Sequence, residues 1–219
     1  MFESVTVIGH GRVGSAVSAR LAERGLRLDG GAPELVLLCV PDRAIGEAAR
    51  QVEPGPWVAH VSGATRLSAL DPHTRRFSVH PLQTIVHGRG PEQLDGAWAV
   101  VTAEDDDARA RGWWLAQTLG LRPFELLDEA RPLYHAGAAF ASGYLVTIWR
   151  AASALFEEAG APPEALLPLM RRTIENGFEL TGPIARGDWE TVDAHRAAIR
   201  KARPELQAVY DALAEATAR

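Results

Sequence analysis

Cysteine is almost missing from this chain: Cys39 is the only one in 219 residues, which rules out a disulfide within the molecule. It sits inside the apolar run Leu35 to Val40, the setting of a buried thiol and not of a nucleophile. Lysine is as scarce. Lys201 stands alone among 23 basic residues, which removes most lysine-based catalysis. No stretch reaches the ~20 apolar residues of a membrane span, and no basic start leads into a long apolar segment, so we expect no membrane association and a cytoplasmic location. There is no run of Lys or Arg, and the formal charge is −5, which leaves no electrostatic basis for a nucleic-acid partner. No His, Cys or Asp grouping has metal-ligand spacing, so no metal is expected, and no Ser-His-Asp arrangement is suggested. The partner left open is a small neutral or anionic molecule.

What is present is the composition of an ordinary globular protein, 47% hydrophobic and 23% charged, enough for one large domain or two modest ones. Val5 to Ile8 is a β-branched run leading into Gly9-His10-Gly11-Arg12-Val13-Gly14, after which Ala16, Val17, Leu21 and Ala22 recur at helical spacing. Leu35 to Val40, Trp57 to Val61, Phe77 to Val79, Ala97 to Thr102 and Arg122 to Leu126 read as further strands. Helices are expected at Ala44 to Val52 and from about Asp106 to Leu119, where Gly120 stops the helix. From Pro132 no strand-like run returns. One helix is expected to Glu158, then others at Glu164 to Leu180, Trp189 to Ala202 and after Pro204, with Asp188 as an N-cap. The fold class expected is α/β: a Rossmann-type, doubly wound parallel sheet over 1–128, followed by a smaller all-α domain over 129–219.

The Gly9-x-Gly11-x-x-Gly14 spacing has a mechanical meaning. The first glycine makes the tight turn, the second lets a pyrophosphate reach the backbone, and the third brings helix and strand together. The helix then offers unpaired N–H groups to an anion. The adenosine side is shortened. The second strand of such a unit falls at Leu26 to Leu28, and only residues 30 to 34 separate Asp29 from the next strand, too few for a crossover helix. Asp29 is thus either a ribose ligand or a turn residue before Gly30-Gly31.

Together with the glycine turn, the motifs Cys39-Val40-Pro41-Asp42, Val61-Ser62-Gly63-Ala64, His80-Pro81-Leu82-Gln83-Thr84, Tyr134-His135-Ala136 and Thr181 to Asp188 carry a resemblance. The chain resembles the bacterial family that joins a Rossmann-like NAD(P) domain to a C-terminal domain of unknown function. More distantly it is similar to 6-phosphogluconate dehydrogenase-like enzymes, ketopantoate reductase and pyrroline-5-carboxylate reductase. The resemblance implies an NAD(P)H-dependent oxidoreductase reducing a small carbonyl or imine, NADP or NAD as cofactor, and a homodimer built through the helical domains. It departs from the family after Gly25 and at Gly143, where asparagine is usual. Those departures leave a second reading, a non-enzymatic nucleotide- or metabolite-binding protein descended from such a reductase.

On that resemblance the cofactor falls to Gly9, His10, Gly11, Arg12, Val13 and Gly14, with Val40, Pro41, Ser62 and Gly63 at the ends of the next strands. His135 and Ser142, at i and i+7, are expected on one helix face, with His135 either a general acid or a packed core histidine. His80 and Gln83 either contact a ligand at a strand end or fix the turn there. Ser62-Gly63 lines the nicotinamide pocket or is a plain turn. Asn176, expected mid-helix, reaches a substrate or lies on a solvated face, and Arg186 pairs with a substrate carboxylate or with Asp188 or Glu190.

Overall fold

The computed structural model describes residues 1–28 and 31–219, so Asp29 and Gly30 lie outside the described residues. It divides into two compact units, Met1–Ala141 and Ser142–Arg219.

The first unit is built on a six-stranded sheet of β1 (Val5–Ile8), β2 (Leu35–Leu38), β3 (Trp57–His60), β4 (Arg76–Leu82), β5 (Trp98–Ala103) and β6 (Arg122–Glu125), lying side by side in chain order. β1 to β4 are mutually parallel; β5 runs antiparallel to β4 and β6 parallel to β5. Helix α1 (Arg12–Glu23) and α3 (Asp106–Thr118) pack on one face, and α2 (Ile45–Arg50) packs on the other. This explains why β2 is apolar throughout. Leu35 and Leu37 enter the core under α1 and α3, while Val36 and Leu38 enter the core under α2, because successive side chains of a strand point to opposite faces. Cys39 is buried on the α1 side, and burial pushes its thiol pKa up to about 12, so the thiolate does not form near neutral pH.

The expected strand at Leu26 to Leu28 is not a strand. Arg27 makes a single bridge to Ser4, donating to the Glu3 carbonyl at 3.0 Å and accepting from Val5 N–H at 2.9 Å. β1 is therefore the edge of the sheet, and on its outer side, where a doubly wound sheet carries its other half, this bridge is all that the described residues supply. The return from α1 to β2 is too short for more.

Helix α4 (Arg131–Ala141) belongs to the first unit, so the units divide at 141/142, later than the 128/129 expected from the last strand. Arg131 is the physical reason: its side chain is fully buried against the sheet and ties α4 to it. The helix expected to run unbroken to Glu158 stops at Ala141, Ser142 leaves helical geometry (φ −125°, ψ −67°), and α5 (Gly143–Glu158) starts afresh.

The second unit comprises α5, α6 (Leu166–Glu175), α7 (Trp189–Ala202) and α8 (Gln207–Thr217). α6 ends five residues before the expected Leu180, because Gly177 adopts φ +70° and Phe178 φ +63°, left-handed geometry that closes a helix. Asp188 caps α7 as expected, accepting from Thr191 N–H at 3.1 Å. Buried apolar side chains in this unit are few: Leu166, Val192, Ile199 and Ala214. Helix α5 has none, although it is largely apolar.

Candidate functional site

The carboxyl ends of β1 to β4 lie along one edge of the sheet, since those strands are parallel. At the first of them the chain makes the glycine turn. Gly9 has φ +105°, and a Cβ there would lie 2.5 Å from the Cys39 carbonyl oxygen. A Cβ on Gly14 would lie 1.9 Å from the Gly9 oxygen. Both glycines are thus demanded by the fold itself. Gly11 differs: its φ is −72°, and a Cβ on it would meet nothing within 4 Å. Gly11 is the N-cap of α1, no side chain caps the helix, and its first turn holds no acidic residue. His10, Gly11 and Arg12 are exposed. The turn is open, and its amides and the positive end of α1 present a cradle suited to a phosphate.

Val40 and Pro41 follow β2, and the Val40 side chain packs 3.2 Å from where a Gly9 Cβ would stand. After β3 the Ser62 hydroxyl is engaged in a local turn. It donates to Thr65 Oγ1 at 2.9 Å and accepts from the N–H groups of Ala64 and Thr65 at 3.2 and 3.0 Å. The Ser62 N–H donates to His60 Nδ1 at 3.2 Å. Ser62 therefore shapes the strand end rather than offering its hydroxyl outward.

Gly63 is where the histidines meet. A Cβ at this position would lie 2.8 Å from His80 Cε1 and Nε2 and 2.7 Å from His135 Cδ2, so glycine is required for the two rings to close on the strand end. The rings stand edge to face with centroids 6.2 Å apart, and His80 Nδ1 lies 2.8 Å from the Tyr134 hydroxyl. Tyr134 and His135 follow Arg131 by three and four residues, so all three lie on one face of α4.

Beneath them is a row of polar groups that the sequence reading did not single out. His60, Ser78 and Thr102 are register partners on β3, β4 and β5, and their side chains share the α2 face. The Arg131 guanidinium lies over them. It donates to Ser78 Oγ at 2.7 Å, to Thr102 Oγ1 at 2.8 Å and to the Ser62 carbonyl, while its nearest carboxylate, Asp128, stands 4.0 Å away. Burial lowers the pKa of His60 to about 3, with Arg131 adding to the effect. Burial, then Arg131, then His135 lower that of His80 to about 4, against an opposing pull from Asp42. Both rings are neutral at physiological pH. The signal was in the strands: WVAH, RFSVHPL and WAVVTA each carry one of these polar residues amid apolar neighbours.

The structure brings together His80, His135, Ser62 and Gly63, and sets the glycine turn on the same sheet edge. The other candidates each have their own surroundings. Ser142 lies beyond the break in the helix and in the second unit, so the i, i+7 relation to His135 on one continuous helix does not hold. Gln83 is exposed, and its Oε1 accepts from Thr84 N–H at 2.8 Å. Asn176 is not mid-helix but the exposed C-cap residue of α6, because Gly177 turns the chain immediately after it. Arg186 donates to the Thr181 carbonyl at 2.7 Å, closing its own loop.

Solved structures share this architecture across nearly the whole chain. A Bacteroides fragilis protein provisionally named an NADP oxidoreductase superposes with a TM-score of 0.84 at 19% identity, covering 99% of this chain and 98% of its own. A protein from Thermotoga maritima gives 0.76 at 21% identity, with 98% of each chain covered. A reductive aminase from Aspergillus terreus, solved with NADPH and ethyl levulinate, gives 0.65 at 17% identity over 98% of this chain and 93% of its own. At these identities the likeness establishes the fold alone: a Rossmann-type α/β architecture with a helical C-terminal part. Among curated proteins none matches the sequence. The model of the domain of unknown function DUF2520 matches residues 97–217, from just before β5 through α8 and over more than half of the chain, and the protein belongs to that family.

Proposed function

We propose that the protein is an NAD(P)H-dependent reductase of a small carbonyl or imine compound. The observation that carries this reading is Gly11, a glycine that nothing in the surrounding protein requires, at the mouth of an open turn capping α1. A pyrophosphate seated there would place its nicotinamide end along the sheet edge toward Gly63, His80 and His135. The bound dihydronicotinamide supplies hydride. The chain's own residues would hold the phosphates on the amides of the turn, orient the substrate against His80, and deliver a proton from the His135 imidazole, whose ring stands edge to face with that of His80. The structural likeness to an NADPH-bound reductive aminase supports the choice of cofactor class.

The test is thermal unfolding with NADPH and with NADH. Ligand at 100 times its dissociation constant should add about 2.7 kcal/mol of stability, a shift of roughly 5–10 °C in a chain of this size. A flat response to both would remove the reductase reading.

One observation favours a second reading. Among the described residues, the Ser4–Arg27 bridge is the only strand pairing on the outer side of β1, where the adenosine half of a dinucleotide is normally read. On this reading the turn holds a smaller phosphorylated molecule without chemistry. Native mass spectrometry of the freshly purified protein separates the two: intact NADP carried through purification excludes it.

We also propose a homodimer formed through the helical unit. Leu145, Val146 and Ile148 of α5, Leu167 and Leu169 of α6 and Leu213 of α8 are all more than a third exposed, far more apolar surface than a unit with four buried apolar residues leaves to solvent alone. Light scattering at micromolar concentration should give twice the chain mass of 23.6 kDa, and a monomer there would contradict the proposal.

A further inference from the structure

The Tyr134 hydroxyl makes one hydrogen bond among the described residues, to His80 Nδ1 at 2.8 Å. Such a pair can share its proton in two ways. Either the imidazole donates from Nδ1 and leaves Nε2 as an acceptor, or the phenol donates and the ring carries its proton on Nε2. A phenol is the better donor of the two and a neutral imidazole nitrogen the better acceptor, so the second arrangement is favoured. Tyr134 keeps its proton firmly, since burial pushes its pKa up to about 12.

The surroundings of the ring act in the same direction. Three groups on α4 face it, Tyr134, His135 and the Arg131 cation, while His60 approaches from β3 and Asp42 from the segment after β2. Arg131 and His135 oppose a second proton on His80, and Asp42 is the only one of these groups that favours it. At the Nε2 edge stands Gly63, where any side chain would put its Cβ 2.8 Å from that nitrogen, so the glycine leaves room there that another residue would fill.

We propose that Tyr134 is a positioning residue that holds His80 in the Nε2–H tautomer, making His80 a neutral hydrogen-bond donor to the oxygen or nitrogen of the substrate's reacting double bond. The proposal rests on the reductase reading and divides the work of the two histidines. As the substrate carbon accepts hydride, the π-electron pair moves to the oxygen or nitrogen. His135 gives that atom its proton, and His80 keeps its own. A neutral donor polarises the bond without becoming an acid, which is why the Arg131 cation beside it is useful and not merely tolerated.

The experiment is a long-range proton–nitrogen NMR measurement on the 15N-labelled full-length protein, with His80 assigned by its loss in His80→Gln. The expected result is pyrrole-like Nε2 and pyridine-like Nδ1 for His80, unchanged from pH 6 to pH 8, and movement of Nδ1 toward the pyrrole-like range in Tyr134→Phe. An Nδ1–H ring in the unaltered protein overturns the proposal without recourse to any variant, and so does a Tyr134→Phe protein with the unaltered tautomer. Titrating NADPH into the same sample tests the cofactor reading separately through the Gly11 amide. A silent Gly11 beside an Nε2–H His80 would overturn the reductase reading, and with it the role for His80, while leaving the Tyr134 pairing intact.

Discussion

Replacing Gly11 with alanine is expected to leave the fold in place and to weaken NADPH binding by at least 100-fold. The structural side of this expectation is direct. At φ −72° an alanine is unstrained, and its Cβ would touch nothing within 4 Å. Glycine-to-alanine at a helix N-cap costs no more than about 1 kcal/mol, which moves the melting temperature by about 2–4 °C in a chain of this size. The binding side follows from the same empty space. That space is where a pyrophosphate must approach the amides, and a methyl group there holds the phosphate off the turn. A 100-fold loss corresponds to about 2.7 kcal/mol, the cost of losing roughly two charge-assisted hydrogen bonds. Gly14→Ala is the contrasting control, since its Cβ would lie 1.9 Å from a backbone oxygen and the unit should fail to fold. Calorimetric titration of Gly11→Ala with NADPH decides the matter: unaltered affinity would mean that the turn does not cradle a phosphate.

The contrast between these glycines also shows how far the sequence could be read. Spacing alone treats Gly9, Gly11 and Gly14 as one motif. The fold separates two glycines held by steric demand from one that the protein does not need for its own packing. The strands were legible because their apolar runs are short, β-rich and bounded by turns, and β2 was readable as covered on both faces from composition alone. The break at Ser142 was not. Ala141, Ser142 and Gly143 are each tolerated inside a helix, and nothing local distinguishes a helix that continues from one that restarts. The end of α6 was missed for the opposite reason: Gly177 was visible, but a glycine within a helical pattern stops the helix only if the next residues also turn, as Phe178 does here.

The site was legible in part. His80 and His135 were named from strand end and helix position, and the structure places them against the same glycine. Tyr134 stood in the quoted motif without a role, because a hydrogen bond across 54 positions is invisible until α4 is laid on the sheet. Arg131 was overlooked because arginine is among the residue types least often fully buried. A polar residue repeated in each of three apolar strands was the available clue, since a buried His, Ser and Thr in adjacent register need a partner.

Arg131→Met should therefore remove a large part of the protein's stability while leaving its backbone free of strain. Methionine fills comparable volume but offers no donor to Ser78 Oγ, Thr102 Oγ1 or the Ser62 carbonyl, all of which Arg131 now satisfies. Thr102 retains its bond to the Leu126 carbonyl at 3.0 Å, and the remaining groups are left short of partners in a dry setting. A loss on the order of 3–5 kcal/mol at pH 7.5 follows, a large share of a typical domain's total. The pH dependence supplies an independent signature. His60 and His80 have folded pKa values near 3 and 4, below an unfolded value of about 6.5. The unfolded chain thus binds more protons than the folded one between those limits. The stability tied to these neutral rings is complete above pH 6.5 and drains away as the pH falls toward 4 and then 3. Burial is the main cause of both depressions and remains in the variant, but the repulsion from Arg131 is gone, so both folded values should rise part of the way back. Arg131→Met should accordingly start well below the unaltered protein at pH 7.5 and lose stability less steeply on acidification, the gap narrowing by pH 5. Urea unfolding at a series of pH values measures it. Parallel curves would show that the cation does not act on the two rings. Equal stability at pH 7.5 would show that a buried guanidinium with its carboxylate 4.0 Å away costs as much as its three hydrogen bonds return.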